Sequence, residues 1–238
     1  GTFELLEACR AALASGALTP DFTFLHVSTD EVYGALGHDG VFTESSQKQP
    51  NSPYAATKAA SDHLVRAWHK SFGLRTLTTH ASNNFGPRQY PEKLIPVVLA
   101  RALSGQPIPV YGNGENVRDW LYVDDHADAL LHILTHGTPG QSYNIGGGTE
   151  RRNIDLVHSL CNILDSLAPG PVPFGSLVEF VTDRAGHDFR YAIDGTRMRT
   201  ELGWVPRTNF DDALRDTVAW YLAHPDQLGL PNRVVDAA

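Results

Sequence analysis

Cysteine is scarce in this 238-residue chain: Cys9 and Cys161 lie far apart and share no metal-like spacing. That excludes a disulfide framework and a zinc ligand set, and it points to a reducing compartment, the cytoplasm, where thiols stay free. Long apolar runs are missing as well. No stretch approaches the ~20 residues that span a bilayer, and no secretory signal opens the sequence, so no membrane partner is expected. Basic charge is in deficit, with 19 Lys and Arg against 27 Asp and Glu and a formal net charge of -8. No cluster of Lys and Arg interleaves with aromatics, which argues against nucleic acid as a partner. The 11 histidines invite a metal, but His63, His69, His126 and His132 fall on predicted helices at no ligand-like spacing, so no metal site is expected. Methionine occurs once, at Met198.

What remains is the composition of an ordinary globular chain, 42% hydrophobic and 19% charged, with enough length for one substantial core or two modest ones. Its opening, "GTFELLEACRAALASGAL", reads as an amphipathic helix with Thr2 as a cap, Phe3, Leu6, Cys9 and Leu13 on one face, and Gly16 as a stop. From residue 22 short apolar runs alternate with helical patterns, the signature of a parallel sheet wound with crossover helices. Phe22 to Val27 and Arg75 to Ala81 are predicted strands. Between them "NSPYAATKAASDHLVRAWHKSFG" has Ser52 as N-cap, Pro53 at the first helical position and Gly73 just past the end. "WLYVDD" is a strand running into a helix capped by Asp124 or Asp125, with Ala127, Leu130, Leu131 and Leu134 facing inward. "QSYNIGG" is a further short strand. Helices are predicted near Asn153 to Leu164 and from Asp211 to Leu222, on either side of a Pro/Gly-rich passage.

Chemistry concentrates in two places. "STDEVYG" puts Asp30 and Glu31 directly after an apolar run, at the end of a predicted strand, and the carboxyl ends of strands in open α/β sheets are where ligands bind. "YAATK" places Tyr54 and Lys58 four apart, on one helix face. An ammonium beside a phenol favours the phenolate, which makes Tyr54 a candidate base near neutral pH. Taken alone, the acids read better as loop residues in water, and Tyr-x-x-x-Lys occurs by chance in many helices.

The motifs in series carry more. "VSTDEVYG", "PNSPYAATKAASDHLVRA", "SNNFGP", "PEKLIPVVLARALSGQPIPVYGNGENVRDWLYVDDHADAL", "YNIGGGTERRN", "DRAGHDFRYAID" and "LGWVP" resemble, in order, the motifs of the dTDP-glucose 4,6-dehydratases of the extended short-chain dehydrogenase/reductase superfamily. The resemblance implies a partial doubly wound, Rossmann-like α/β sheet lacking its N-terminal strands, with a smaller C-terminal α/β substrate domain. The dinucleotide-binding part is expected at 1–88 and 118–146, and the sugar-nucleotide part at 89–117 and 147–238. It implies NAD as cofactor, oxidation of a nucleotide sugar at C4, elimination of water across C5 and C6, and return of the hydride to C6. By similarity Tyr54, aided by Lys58, takes the C4 hydroxyl proton while Thr29 holds that hydroxyl, Glu31 removes the C5 proton, and Asp30 protonates the departing C6 hydroxyl. Tyr54 and Lys58 also contact the cofactor. The Asp-Glu pair is what separates a dehydratase from an epimerase in this superfamily.

Substrate residues follow the same resemblance. Arg118 and Arg184 are expected to grip the diphosphate, with Asn153 and His187 helping; Asn84 meets the sugar diphosphate; Lys93, Leu94, Pro109 and Tyr111 belong to the nucleoside pocket. Ala185 and Phe189 stand where the family commonly has Pro and Arg. Helices 2–14 and 53–72 resemble the pair through which family members dimerise, so a homodimer is expected. The family's Gly-rich turn and the acidic residue about 20 positions later have no counterpart, because "GGG" at Gly146 to Gly148 opens no such pattern. The chain is therefore expected to be an N-terminally truncated form that holds NAD poorly by itself.

Overall fold

The computed structural model describes residues 1–184 and 186–231, so Ala185 lies outside the described residues. In chain order the elements are α1 (Thr2–Ala14), β1 (Phe24–Thr29), α2 (Pro53–Phe72), β2 (Thr76–Ala81), β3 (Asn83–Phe85), α3 (Leu94–Leu103), β4 (Ile108–Tyr111), β5 (Val117–Tyr122), α4 (Val123–His136), β6 (Ser142–Ile145), β7 (Glu150–Arg152), α5 (Asn153–Leu167), β8 (Val178–Val181), α6 (Thr196–Leu202) and α7 (Phe210–Ala223). Among the described residues they fall into two compact units, one of residues 1–82, 125–147 and 190–206, the other of 83–124, 148–189 and 207 onward. This partition differs from the expected one. β5 hydrogen-bonds to β3 and β7 and so belongs to the second unit, while 190–206 returns to the first.

The first unit is built on a parallel sheet in the order β1-β2-β6. Phe24 pairs with Thr76 and Thr29 with Ala81, and Thr78 pairs with Ser142. Parallel pairing needs a long crossover, and α2 supplies the first one. Its ends are where the sequence puts them: Ser52 Oγ accepts from the Ala55 amide at 3.1 Å, Pro53 opens the helix, and Gly73, at φ 68°, closes it in the left-handed region. Ala55, Ala59, Asp62 and Val65 form its buried stripe. α1 packs on α2 through Leu6, Val65 and Leu74, with Trp68 Nε1 donating to Glu7 at 2.8 Å. Thr2 is not the expected cap; its hydroxyl donates to Ser61 Oγ at 3.1 Å. α4 is rotated from the expected phase. Asp125, Ala129 and Ile133 form its buried row, and Leu131 is 66% exposed. The returning segment adds a bridge between Phe42 and Ile193 and a second small core of Val32, Tyr33, Ala59 and Ile193.

The second unit holds a β3-β5-β7 sheet and a parallel β4-β8 pair. Its core stacks Ile95, Val98 and Leu99 of α3, Leu156, Leu160 and Leu164 of α5, and Leu214, Val218 and Tyr221 of α7. Each such side chain contributes roughly 1.5–3 kcal/mol through burial. Asn209 caps α7, its side chain accepting from the Asp211 amide at 2.9 Å and the Asp212 amide at 3.2 Å. No described helix is long and apolar enough to cross a membrane.

Candidate active site

β1 runs on through Thr29, two residues past the predicted end, and then tightens into a 3-10 turn over Asp30–Tyr33. Thr29 makes that turn: its Oγ1 accepts from the Glu31 amide at 3.3 Å and donates to Asp30 Oδ1 at 3.3 Å. Asp30 is only 2% exposed and Glu31 is half-buried, so the two carboxylates differ in environment as acid and base roles require. The turn leaves through Gly34 at φ 93°, where a Cβ would stand 2.5 Å from the Gln49 carbonyl oxygen. Only glycine fits there.

Tyr54, in the first turn of α2, is 56% exposed. Its phenol is pushed above its ordinary pKa by burial first, then by the charges of Glu31 and Asp30, which places the tyrosine electrostatically beside the acidic pair. Lys58, one turn on, donates from Nζ to the Val27 carbonyl at 2.7 Å. The expected lowering of the Tyr54 pKa by Lys58 is therefore reversed here, since the ammonium is engaged with β1 and two carboxylates oppose the phenolate. Thr29, Asp30, Glu31, Tyr54 and Lys58 are brought together at the carboxyl end of β1.

A second constellation lies in the second unit. Arg118, in β5 and 7% exposed, donates to the carbonyls of Val117 at 2.8 Å, Asp188 at 3.0 Å and Phe189 at 3.2 Å. Arg184 stacks over Tyr111 with its guanidinium carbon 5.1 Å from the ring centroid. His187 Nδ1 bonds Asp183 Oδ1 at 2.7 Å, while its buried Nε2 has no hydrogen-bond partner among the described residues. Burial pushes the His187 pKa down, with Asp183 opposing and the Arg184 and Arg118 charges adding to the fall. Asp183 opens the motif "DRAGHDFRYAID", but the resemblance assigns it no role.

The other predicted contacts are spread over this unit's elements. Pro109 and Tyr111 lie in β4, Lys93 and Leu94 open α3, and Asn153 opens α5, its amide donating to the Asn116 carbonyl at 2.9 Å. Asn84, in β3, is joined by another unpredicted residue, Gln89, whose Nε2 donates to the Asn84 carbonyl at 2.9 Å. Among the described residues no group of His, Cys, Asp and Glu is placed to hold a metal ion.

A parallel α/β sheet with a Thr-Asp-Glu turn at a strand's carboxyl end, followed by a Tyr-x-x-x-Lys helix, defines the class: a Rossmann-like protein of the dehydratase and epimerase type. The model of the GDP-mannose 4,6 dehydratase family matches residues 1–217, and the chain belongs to that family. It is 53% identical to a probable dTDP-glucose 4,6-dehydratase of Sinorhizobium fredii over 224 residues, which cover 93% of this chain and 64% of the relative. A dTDP-glucose 4,6-dehydratase of Xanthomonas campestris is 52% identical over 231 residues, 94% of this chain and 65% of its own length. The crystal structure of dTDP-glucose 4,6-dehydratase from Bacillus anthracis in complex with NAD superposes with a TM-score of 0.84 at 41% identity, covering 94% of this chain and 67% of that one. The chain thus spans about 64–65% of these curated relatives.

Proposed function

We propose that the complete protein dehydrates dTDP-glucose to dTDP-4-dehydro-6-deoxyglucose, as an NAD-dependent lyase. The observation that carries this reading is the Asp30–Tyr33 turn, which sets one buried and one half-buried carboxylate beside Tyr54 at the end of β1. An epimerase has no use for such a pair. The relatives' names, dTDP-glucose 4,6-dehydratase, support the same substrate.

The exposed Tyr54 phenol and the Lys58 ammonium, one turn apart beside the carboxyl end of β1, fit the ribose and nicotinamide end of NAD. When bound, NAD supplies the acceptor for the C4 hydride and its return to C6. Thr29 orients the C4 hydroxyl, and Tyr54 takes its proton. The resulting 4-ketone acidifies C5, whose proton goes to Glu31. Asp30, the buried member of the pair, gives a proton to the C6 hydroxyl as it leaves as water. In the second unit Arg118 and Arg184, helped by Asn153 and His187, act on the diphosphate, Asn84 on the sugar diphosphate, and Lys93, Leu94, Pro109 and Tyr111 on the nucleoside. The Arg184–Tyr111 stack and the unpartnered His187 Nε2 support the first and last of these assignments. We place the protein in the cytoplasm, in keeping with the free Cys9 and Cys161, and as a homodimer through α1 and α2.

The test is product analysis by mass spectrometry with dTDP-, GDP- and UDP-hexoses offered side by side with NAD to the complete polypeptide. Loss of water from dTDP-glucose is expected. Turnover of another nucleotide sugar alone would move the assignment to that substrate, and dTDP binding without NAD affinity would make the chain a non-catalytic sugar-nucleotide binder.

A further inference from the structure

Beneath the catalytic turn runs a buried polar chain that the reaction above does not use. Asp62 of α2, 3% exposed, accepts from His26 Nε2 at 3.0 Å, from His80 Nε2 at 3.0 Å and from Lys48 Nζ at 2.5 Å. The other nitrogen of His80, Nδ1, lies 3.0 Å from the Tyr33 hydroxyl, and that hydroxyl donates to Asn144 Oδ1 at 2.9 Å. The Asn144 amide cannot be turned round, because its Nδ2 donates to the Phe42 carbonyl at 3.1 Å. Tyr33 is the last residue of the 3-10 turn that carries Asp30 and Glu31.

Counting protons along this chain gives a definite result. The Tyr33 hydroxyl has one proton, and Asn144 Oδ1 takes it. The proton between Tyr33 and His80 must then come from His80 Nδ1. At its other end His80 faces a carboxylate, which has no proton to give, so Nε2 must donate too. We propose that His80 is held as a doubly protonated imidazolium, and that through Tyr33 it is a positioning residue for the Asp30–Glu31 turn. Charge surrounds it from each packed element: Asp62 from α2, Lys48 and His26 from the preceding segments, and, around Tyr33, Glu44 and Asp30. Burial first, then the Lys48 and His26 charges, hold the His80 pKa below its ordinary value although Asp62 opposes them, and the hydrogen-bond geometry argues against that direction. Burial alone favours the neutral ring, but a neutral ring leaves two acceptors facing each other at one link, and both links are within 3.0 Å.

The catalytic consequence rests on the dehydratase reading; the proton assignment does not. The first measurement is nitrogen NMR of the histidine-labelled 238-residue chain at pH 7, with the His80 signals assigned by their loss in His80→Gln. A proton on both ring nitrogens is expected, and a single proton overturns the proposal. The second is Tyr33→Phe, which removes the acceptor at Nδ1. There His80 should lose one proton at pH 7, and the Gly34 amide, bonded to the Glu31 carbonyl within the turn, should exchange about tenfold faster. A His80 that keeps both protons, or a Gly34 amide that exchanges unchanged, overturns it. In the complete polypeptide the same variant should lower kcat about tenfold with KM unchanged. If the unsubstituted complete polypeptide forms no product while the two spectroscopic results hold, the dehydratase reading is wrong and the positioning chain stands.

Discussion

At the scale of single residues, the acidic pair and Tyr54 are coupled, and the coupling has a measurable sign. Glu31 is the larger of the two charges holding the Tyr54 pKa up, after burial. Glu31→Gln removes that charge, so the Tyr54 pKa should fall, and the limb of the pH-rate profile that reports a deprotonated Tyr54 should shift to lower pH. On the proposed mechanism oxidation at C4 does not draw on Glu31 and should survive, seen as NADH absorbance on mixing with dTDP-glucose, while elimination should drop by at least ~100-fold, the usual contribution of a general base. Normal elimination in this variant would remove Glu31 from the base role. Asp62 has a linked prediction for stability. Burial pushes its carboxyl up, but hydrogen bonds from His26 and His80 prevail and leave the folded-state pKa lowered. A lowered carboxylate contributes stability that is fully present above its unfolded pKa of ~3.9 and is lost as pH falls through the folded value. Asp62→Ala leaves Lys48 and His80 without their anion, at a cost of about 3–5 kcal/mol at neutral pH, and the variant should lose much of the acid-side dependence of its urea midpoint. An unchanged midpoint would mean that the three contacts are energetically idle.

At the scale of elements, the punctuation of α2 was legible because capping is local chemistry: a serine, a proline and a left-handed glycine act within one turn of the chain. Gly73 has open space around its missing Cβ, so Gly73→Ala should cost about 1–2 kcal/mol, the strain of the left-handed backbone alone. Gly34→Ala adds a collision with the Gln49 carbonyl and should cost several times more, read as a larger fall in thermal midpoint; equal shifts for the two would refute the steric argument. The phase of α4 was not legible. Its leucines gave a plausible inner face, but an inner face is set by what it packs against, and that partner is distant in sequence. The short strands β3, β4, β7 and β8 escaped for the same reason, since three or four residues carry no period and pair only because other strands lie beside them. The site divides likewise. Asp30, Glu31, Tyr54 and Lys58 were found because they sit in contiguous motifs, whereas the Asp62–His80–Tyr33 chain draws on segments far apart in sequence; Asp183 and Gln89 bond near neighbours, His187 and Asn84, but from loops with no period to mark them.

At the scale of the whole molecule, the apolar surface of the first unit bears on assembly. Phe3 and Leu5 of α1 and Phe72 at the end of α2 are exposed, although α1 and α2 already bury Leu6 and Val65 against each other. Phe3 was expected inside with Leu6; instead its ring meets the edge of Trp68 at 5.5 Å and keeps one side open. Arg10 lies over Phe72 at 5.2 Å, so that ring is shielded on one face only. In the proposed homodimer these exposed apolar residues of α1 and α2 would be covered by the same helix pair of a second copy, closing a four-helix bundle with two-fold symmetry. Sedimentation velocity should therefore show a dimer at micromolar concentration. Leu5→Glu sets two copies of a new charge into the seam and should give a monomer whose thermal midpoint, extrapolated to infinite dilution, matches that of the unsubstituted chain. A chain that stays monomeric at every concentration would assign this stripe to something other than self-association. A dimer indifferent to Leu5→Glu would place the interface on another face.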